Sequence, residues 1–221
     1  NKLTPDYMIG CKRIIVSNTL YPALCRDNVS LHDRHDGIAH FTATGVVTQQ
    51  GQHLDLDAVI FSTGFKATDG ALGFQVSGRD GVQLDAVWQD YPRAYLGTTL
   101  PGFPNLFLVT GPNTGIGHTS AIFVIESQML YIMRLLDELQ RRRATSVEVT
   151  AAAEAEYTAM IHREMAKTVW QSGGCESWYK SKSGKVTAMF PGFSFVYRWL
   201  AWRFRPQHHR FRIAQRQGEQ L

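Results

Sequence analysis

The sequence predicts an α/β fold, and three features carry the prediction. Two apolar runs of strand length, "DAVIFSTGF" at 57–65 and "PNLFLVTG" at 104–111, each halt at glycine, as buried strands halt at a ligand-facing sheet edge. Behind the second run, residues 119–143 carry apolar side chains at 122, 125, 129, 132, 133, 136 and 139, close to helical spacing. Between strand and helix lies "GPNTGIGHTS", 111–120, a glycine-rich turn at a helix start.

The elements follow in chain order. Residues 13–16, Arg-Ile-Ile-Val, read as a short buried strand after "PDYMIGC", and "TLYPALC" at 19–25 as a turn or short helix. From 29 to 60, short apolar groups alternate with turn residues at Asp36-Gly37, Gly45 and Gln50-Gly51, the pattern of an antiparallel meander. The strand at 57–65 closes that region at Thr63-Gly64. A loop-rich stretch with glycines at 70, 73, 78, 81 and 97 leads to a second buried strand at 106–109, which Gly111-Pro112 breaks. The helix over 119–143 ends in Arg141, Arg142 and Arg143, cations that complement the carbonyl end of its dipole. A second helix runs from 151 to roughly 170, with Thr150 as N-cap and Glu154 and Glu156 in its first turns; "QSGGC" stops it. Residues 176–199 read as irregular strands with exposed aromatics around a Ser183-Gly184 turn.

At 221 residues, 44% of them hydrophobic, the chain is long enough to bury a core and is not disordered or fibrous in composition. Its longest apolar stretch, 121–136, is broken by Glu126, Ser127, Gln128 and Arg134, short of the roughly 20 apolar residues of a membrane span. A soluble protein is expected, and no secretory signal opens the chain. Cys11, Cys25 and Cys175 are scattered and odd in number, so neither a disulfide framework nor a zinc site is expected; a reducing cytoplasm suits them. The net charge is only +4, yet six arginines (198, 203, 205, 210, 212, 216) crowd the end of the chain with His208, His209 and four aromatics and no acid. Such a segment fits an anionic partner or, more simply, an arm lying on its own protein. The chain opens with Asn1, so it is either processed or a piece of something longer.

A buried strand, a glycine-rich loop and a helix N-terminus together suit an anion or a polar ring edge, because the N–H groups of a first helical turn lack intrahelical partners. The spacing of Gly111, Gly115 and Gly117 is neither the G-x-G-x-x-G dinucleotide fingerprint nor a P-loop, so ligand contact and a structural tight turn both remain open. His32 and His35 sit in a charged, turn-like stretch that reads as a solvated loop, not a metal site. His118, at the helix start, is either a hydrogen-bonding spacer or a proton donor.

Four stretches together resemble the C-terminal part of flavin-dependent Baeyer–Villiger monooxygenases, the group that includes the cyclohexanone, phenylacetone and 4-hydroxyacetophenone enzymes. They are "KLTPDYMIGCKR" with "YPALCRDNV" at 2–29, "DAVIFSTGF" at 57–65, "AYLGTTLPGFPNLFLVTGPNTGIGHTS" at 94–120, and "GGCESWY" to "FPGF" at 173–193. The third is the most specific. The match reaches about Trp199 in the family's order, and the basic tail lies beyond it.

The resemblance implies the C-terminal portion of a two-dinucleotide-binding-domain fold for FAD and NADPH, incomplete without its N-terminal part. Residues 1–64 are then the returning segment of the NADPH-binding domain, 65–197 the C-terminal half of the FAD-binding domain, and 198–221 a basic tail. It implies that Lys12 meets the 2′-phosphate of NADPH and that Arg13 reaches the flavin as the catalytic residue, a lysine serving as a point charge and a guanidinium as a fork of donors. Thr63, Gly64, Gly111, Pro112, Asn113, Thr114 and Gly115 become cofactor-binding, their backbone approaching the flavin edge, and Trp178 stands near nicotinamide and substrate. The whole enzyme would insert one atom of O2 into a ketone, aldehyde or sulfide through a C4a-peroxyflavin, without nucleic acid or a membrane span.

This chain lacks the family's G-x-G-x-x-G motifs and the F-x-G-x-x-x-H-x-x-x-W signature, so alone it should hold neither cofactor firmly. Three readings follow: a segment of a monooxygenase, completed by an N-terminal half in the same or a separate chain; a non-catalytic remnant; or a basic interaction protein using its tail.

Overall fold

The computed structural model describes residues 2–64 and 73–213; Phe65, Gly70 and Arg216, named above, lie outside them. Helix α1 (Leu20–Leu24) forms at "LYPAL" and is followed by the expected meander. Strands β1 (Ile38–Phe41), β2 (Gly45–Thr48) and β3 (His53–Asp55) pair antiparallel in that order, with Val46 opposite both Phe41 and Leu54. Only the central strand turns residues inward, Val46 and Thr48, so this sheet carries little core of its own.

Three expected buried strands are corrected by the structure: residues 13–16, 57–64 and 106–109 form no strand. Ile15, Val16 and Ile60 are 81%, 95% and 88% exposed. A strand exists through its neighbours' hydrogen bonds, and among the described residues no backbone hydrogen bond joins the first two segments to a neighbour, although the Phe61 ring meets Phe41 at 5.9 Å. The third is held outside any ladder, through Leu108 N–H to Thr98 O at 2.8 Å.

Residues 73–213 hold the main core. A 3-10 turn at Arg79–Gly81 and helix α2 (Leu84–Val87) place Leu84 and Trp88 on Ala94, Leu100 and Phe103. Helix α3 (Ala121–Arg142) starts where Ser120 accepts a hydrogen bond from Ile122 N–H, and it stops at Arg143, which is left-handed at φ 53°. In its last turns Arg141 and Arg142 grip Glu138, and these hydrogen bonds pull that carboxyl down to about 2. Strand β4 (Ser146–Val149) leads into helix α4 (Ala151–Met165), capped by Thr150 through Ala153 N–H as the sequence indicates. The helix ends five residues early, and a separate turn, α5 (Val169–Ser172), precedes Gly173-Gly174.

The end of the chain departs from its reading as irregular strands. "SFVYRWLAW" is helix α6 (Ser194–Trp202), packed on α3, with Tyr197 fully buried and its hydroxyl donated to Leu96 O at 2.6 Å. Strand β5 (His209–Arg212) pairs antiparallel with β4, so the described part of the basic arm lies on its own protein. Glu148 of β4, almost wholly buried, pairs with Arg79 and with Arg210, which accounts for one of the clustered cations.

His209 is wired into the core. Its Nδ1 lies 3.0 Å from Arg205 O, which can only accept, so Nδ1 donates; Nε2 therefore accepts from the Tyr131 hydroxyl at 2.6 Å, which also lies 3.1 Å from Thr99 Oγ1. Burial pushes this imidazole down from 6.5 to about 4. The unfolded chain then binds the proton first, so the stability the neutral ring contributes is complete above pH 6.5 and declines as pH falls toward 4. Thermal unfolding at pH 5 is expected to show roughly 2 kcal/mol less stability than at pH 7 from this group. A His209→Asn variant should lose that slope, and an undiminished slope would assign the effect to other residues.

One further correction concerns the cysteines. Cys11 and Cys175 form a disulfide across 164 residues, against the expectation of unpaired thiols, while Cys25 is free and exposed. No helix among the described residues is long and apolar enough to cross a membrane.

Candidate active site

The glycine loop is a layer laid on other layers of the same protein. Asn113, left-handed at φ 56° and buried, donates its N–H to Thr187 O at 2.6 Å and its side-chain amide to Val186 O and Met189 O, both at 2.9 Å. Gly115 donates to Ala188 O at 2.8 Å and accepts from Phe190 N–H at 2.7 Å. The Thr114 hydroxyl donates to Gly111 O at 2.6 Å. On the opposite side stands Gly97, at φ 60°, where a Cβ would collide with the Thr114 side chain and lie 2.6 Å from Pro112 O. A Cβ on Gly111 would strike Gly97 O, and one on Gly115 would sit 2.6 Å from Ala188 O. These glycines therefore admit the protein's own backbone, and Pro112, Asn113 and Thr114 are buried.

What faces outward is the next stretch. Gly117, His118, Thr119 and Ser120 are exposed, and among the described residues the N–H groups of Gly117, His118 and Thr119 donate to no protein acceptor. They precede Ser120, the N-cap of the 22-residue α3, near the positive end of its dipole. The arrangement offers a row of donors to a negatively polarised ligand edge while residues 111–115 hold the row in place. The His118 ring meets Phe193 edge-on at 5.8 Å.

Beneath the loop lies a residue that the sequence did not single out. Gln128, 1% exposed on α3, donates to Thr98 Oγ1 at 2.9 Å and Gly97 O at 3.2 Å and accepts from Thr110 N–H at 2.9 Å. Its amide thus joins both edges of the loop's seat. The available signal was its place inside the apolar run 121–136, where a polar side chain must find partners.

Lys12 and Arg13 are exposed, and the Lys12 ammonium lies 4.9 Å from the centre of the Tyr7 ring. Burial pushes the Tyr179 hydroxyl up, and the positive charge of Arg13 opposes that shift, which places Arg13 within electrostatic reach of Tyr179. Tyr179 packs edge-on against Trp178 at 4.6 Å and against Trp170 at 6.3 Å, and a Cβ on Gly117 would lie 3.5 Å from Trp170. A run of aromatic side chains thus leads from the outward part of the loop through Trp170 to Tyr179 and Trp178, with Arg13 in electrostatic reach of Tyr179. Trp178 is 47% exposed in that run. Thr63 and Gly64 are exposed, and among the described residues no hydrogen bond, ion pair or ring contact joins them to the other site residues.

A donor row at a helix N-terminus, backed by the loop's own layers and faced by an aromatic wall, belongs to the C-terminal portion of a two-dinucleotide-binding flavoprotein fold. The chain matches an oxidized steroid monooxygenase bound to NADP with TM-score 0.81 and 29% identity, covering 95% of this chain and 40% of that one. Against cyclohexanone monooxygenase, at 28% identity, the TM-score is 0.76 for the closed structure and 0.69 for the open one, over 38% and 35% of those chains. In sequence it is 44% identical to a Baeyer–Villiger monooxygenase of Pseudomonas aeruginosa and 40% identical to one of Streptomyces coelicolor, covering 92% and 89% of this chain. No protein-family model matches. The chain corresponds to the C-terminal part of the Baeyer–Villiger-type flavin-dependent monooxygenases, and it spans 38% of the length of these two curated relatives.

Proposed function

We propose that this chain is the C-terminal segment of an FAD- and NADPH-dependent monooxygenase that inserts one atom of O2 into a ketone, aldehyde or sulfide substrate, and that it is inactive without an N-terminal part. The observation that supports this reading is the aromatic run from Gly117 through Trp170 to Tyr179 and Trp178, beside which the Cys11–Cys175 bond brings the stretch of chain adjoining Lys12 and Arg13. The relatives named above include monooxygenases solved with NADP and with FAD and NADP. When bound, the nicotinamide supplies hydride and the flavin activates oxygen. The residues present fit both groups: the N–H donors of Gly117, His118 and Thr119 suit the electron-rich edge of a flavin, and two exposed cations, Lys12 and Arg13, suit phosphate and negative charge developing at the flavin. Lys12 acts as a point charge, whereas the Arg13 fork orients what it holds. Residues 111–115 support the loop from behind, and Trp178 excludes water beside the nicotinamide. The domain division at 64 and 197, and the role of Thr63-Gly64 as the crossing between cofactor domains, belong to the same proposal.

The coding sequence upstream of Asn1 tests it: a continuous frame carrying two G-x-G-x-x-G motifs supports it. In that longer product Arg13→Ala is expected to reduce oxygenated product about 100-fold while FAD stays bound. Undiminished product formation would remove Arg13 from the site. The 221-residue chain alone should be colourless and should not oxidise NADPH. A yellow, NADPH-oxidising preparation would overturn its proposed inactivity.

A further inference from the structure

We propose that Cys11 and Cys175 form a redox-addressable clasp that positions Lys12 and Arg13 against the Trp178–Tyr179 wall; what those two cations touch rests on the function proposed above. The disulfide joins two places directly beside the site: Cys11 precedes Lys12, and Cys175 is three residues before Trp178. Little else holds them together. Among the described residues no ion pair and one backbone hydrogen bond, Met8 N–H to Gly173 O at 2.9 Å, link residues 2–64 to residues 73–213. Residues 12–20 are exposed and irregular apart from the first residue of α1, so they have no sheet to fix their direction.

The surroundings of the bond are built for close approach. Cys11 is wholly buried and Cys175 nearly so. A Cβ on Gly173 would lie 2.8 Å from Cys11 Cβ, so glycine is required there for the segments to meet, and the neighbouring Gly10 packs on Val169. The free Cys25 is exposed and remote from this contact in sequence, so it does not belong to the clasp. With the bond intact, the freedom of the Lys12–Arg13 segment is limited to a few rotatable bonds beyond Cys11. With it broken, that segment must find its place across a 164-residue separation by one hydrogen bond and local packing. Opening is a two-electron reduction: an external dithiol such as dithiothreitol or a thioredoxin-type protein gives two electrons and two protons, leaving two protein thiols and one disulfide on the reductant. Burial of both sulfurs makes the clasp slow to open unless the segment lifts locally.

The test uses the product of the whole reading frame. Without reductant, one cysteine of this segment, Cys25, should alkylate in denaturant, and all three should do so after reduction. Trypsin should cut at Lys12 and Arg13 about tenfold faster in the reduced protein, and reoxidation should restore protection. The dissociation constant for NADP+ should rise about tenfold on reduction, with KM for NADPH moving more than kcat and the bound-flavin spectrum retained. Cys25→Ser should change none of this, and Cys11→Ser with Cys175→Ser should reproduce the reduced state permanently. Because reduction and reoxidation act on the unmodified protein, a poorly folding variant does not spoil the test. Three alkylatable thiols before reduction would overturn the proposal, as would equal tryptic cleavage and NADP+ affinity in both redox states. Failure of both states to bind NADP+ would instead defeat the monooxygenase reading, with trypsin still deciding the clasp.

Discussion

Gly97→Ala is expected to unseat the glycine loop and cost about 4 kcal/mol, a fall in melting temperature on the order of 10 °C. Two terms combine. Position 97 has φ 60°, where a side chain costs about 1 kcal/mol, and the new methyl group would meet the Thr114 side chain and stand 2.6 Å from Pro112 O. Neither neighbour can give way freely, because Thr114 is tied to Gly111 O and Asn113 to the 186–189 segment. Gly174→Ala supplies the contrast: φ is 76° there, but nothing lies within 4 Å of the added carbon. It should cost only about 1 kcal/mol. Equal losses in the two variants would mean that backbone conformation, not the stacking of loop on turn, limits position 97.

The second large effect is expected at Gln128. Gln128→Met keeps length and approximate volume but leaves Thr110 N–H, Gly97 O and Thr98 Oγ1 without this partner in a buried site. Each orphaned group costs about 1–3 kcal/mol, so a total near 3 kcal/mol is expected after relaxation and water entry. Gln128→Glu should be at least as damaging, since it replaces the donor facing two oxygens with a carboxylate. Chemical denaturation reads the loss, and cofactor content of the longer product reads its consequence for the loop. A Met variant within 0.5 kcal/mol of wild type would show that the loop does not depend on the helix behind it.

How much was legible in the sequence differs by element, for physical reasons. Helices α3 and α4, with Thr150 as cap, announced themselves because helical hydrogen bonds are local and their apolar period is written along one segment. The meander was legible through its turns. Residues 13–16 and 57–64 have the composition of buried strands, but a strand's bonds lie with its neighbours, and Val16 and Ile60 show how exposed such a run stays without them. Helix α6 was hidden by its aromatic-rich composition, which suits strands as well as helices, although Tyr197 and Ala201 lie four residues apart on the face that turns inward. The Cys11–Cys175 bond lay beyond any spacing rule at 164 residues. Near the loop, Gln128 escaped notice because the apolar positions 122, 129, 133 and 136 prove exposed, and the inward face runs through Val124, Gln128, Tyr131 and Leu135 instead. The close approach of neighbouring backbone to the loop glycines could not be read from their spacing.

The pairing of β5 with β4 sets a timetable for the chain's birth. Strand β4 gains its sheet partner from residues 209–212, the His209 imidazole arrives with them, and the buried Glu148, already paired with Arg79, gains Arg210. A nascent chain that has already released α3 and α4 from the ribosome still holds an open strand edge, an unpartnered Tyr131–His209 contact and an acid lacking its second arginine. This part of the core therefore cannot close until residues 205–212 have emerged. A stop codon before residue 209 should yield a chain that chaperones and proteases treat as unfinished, however complete its helices.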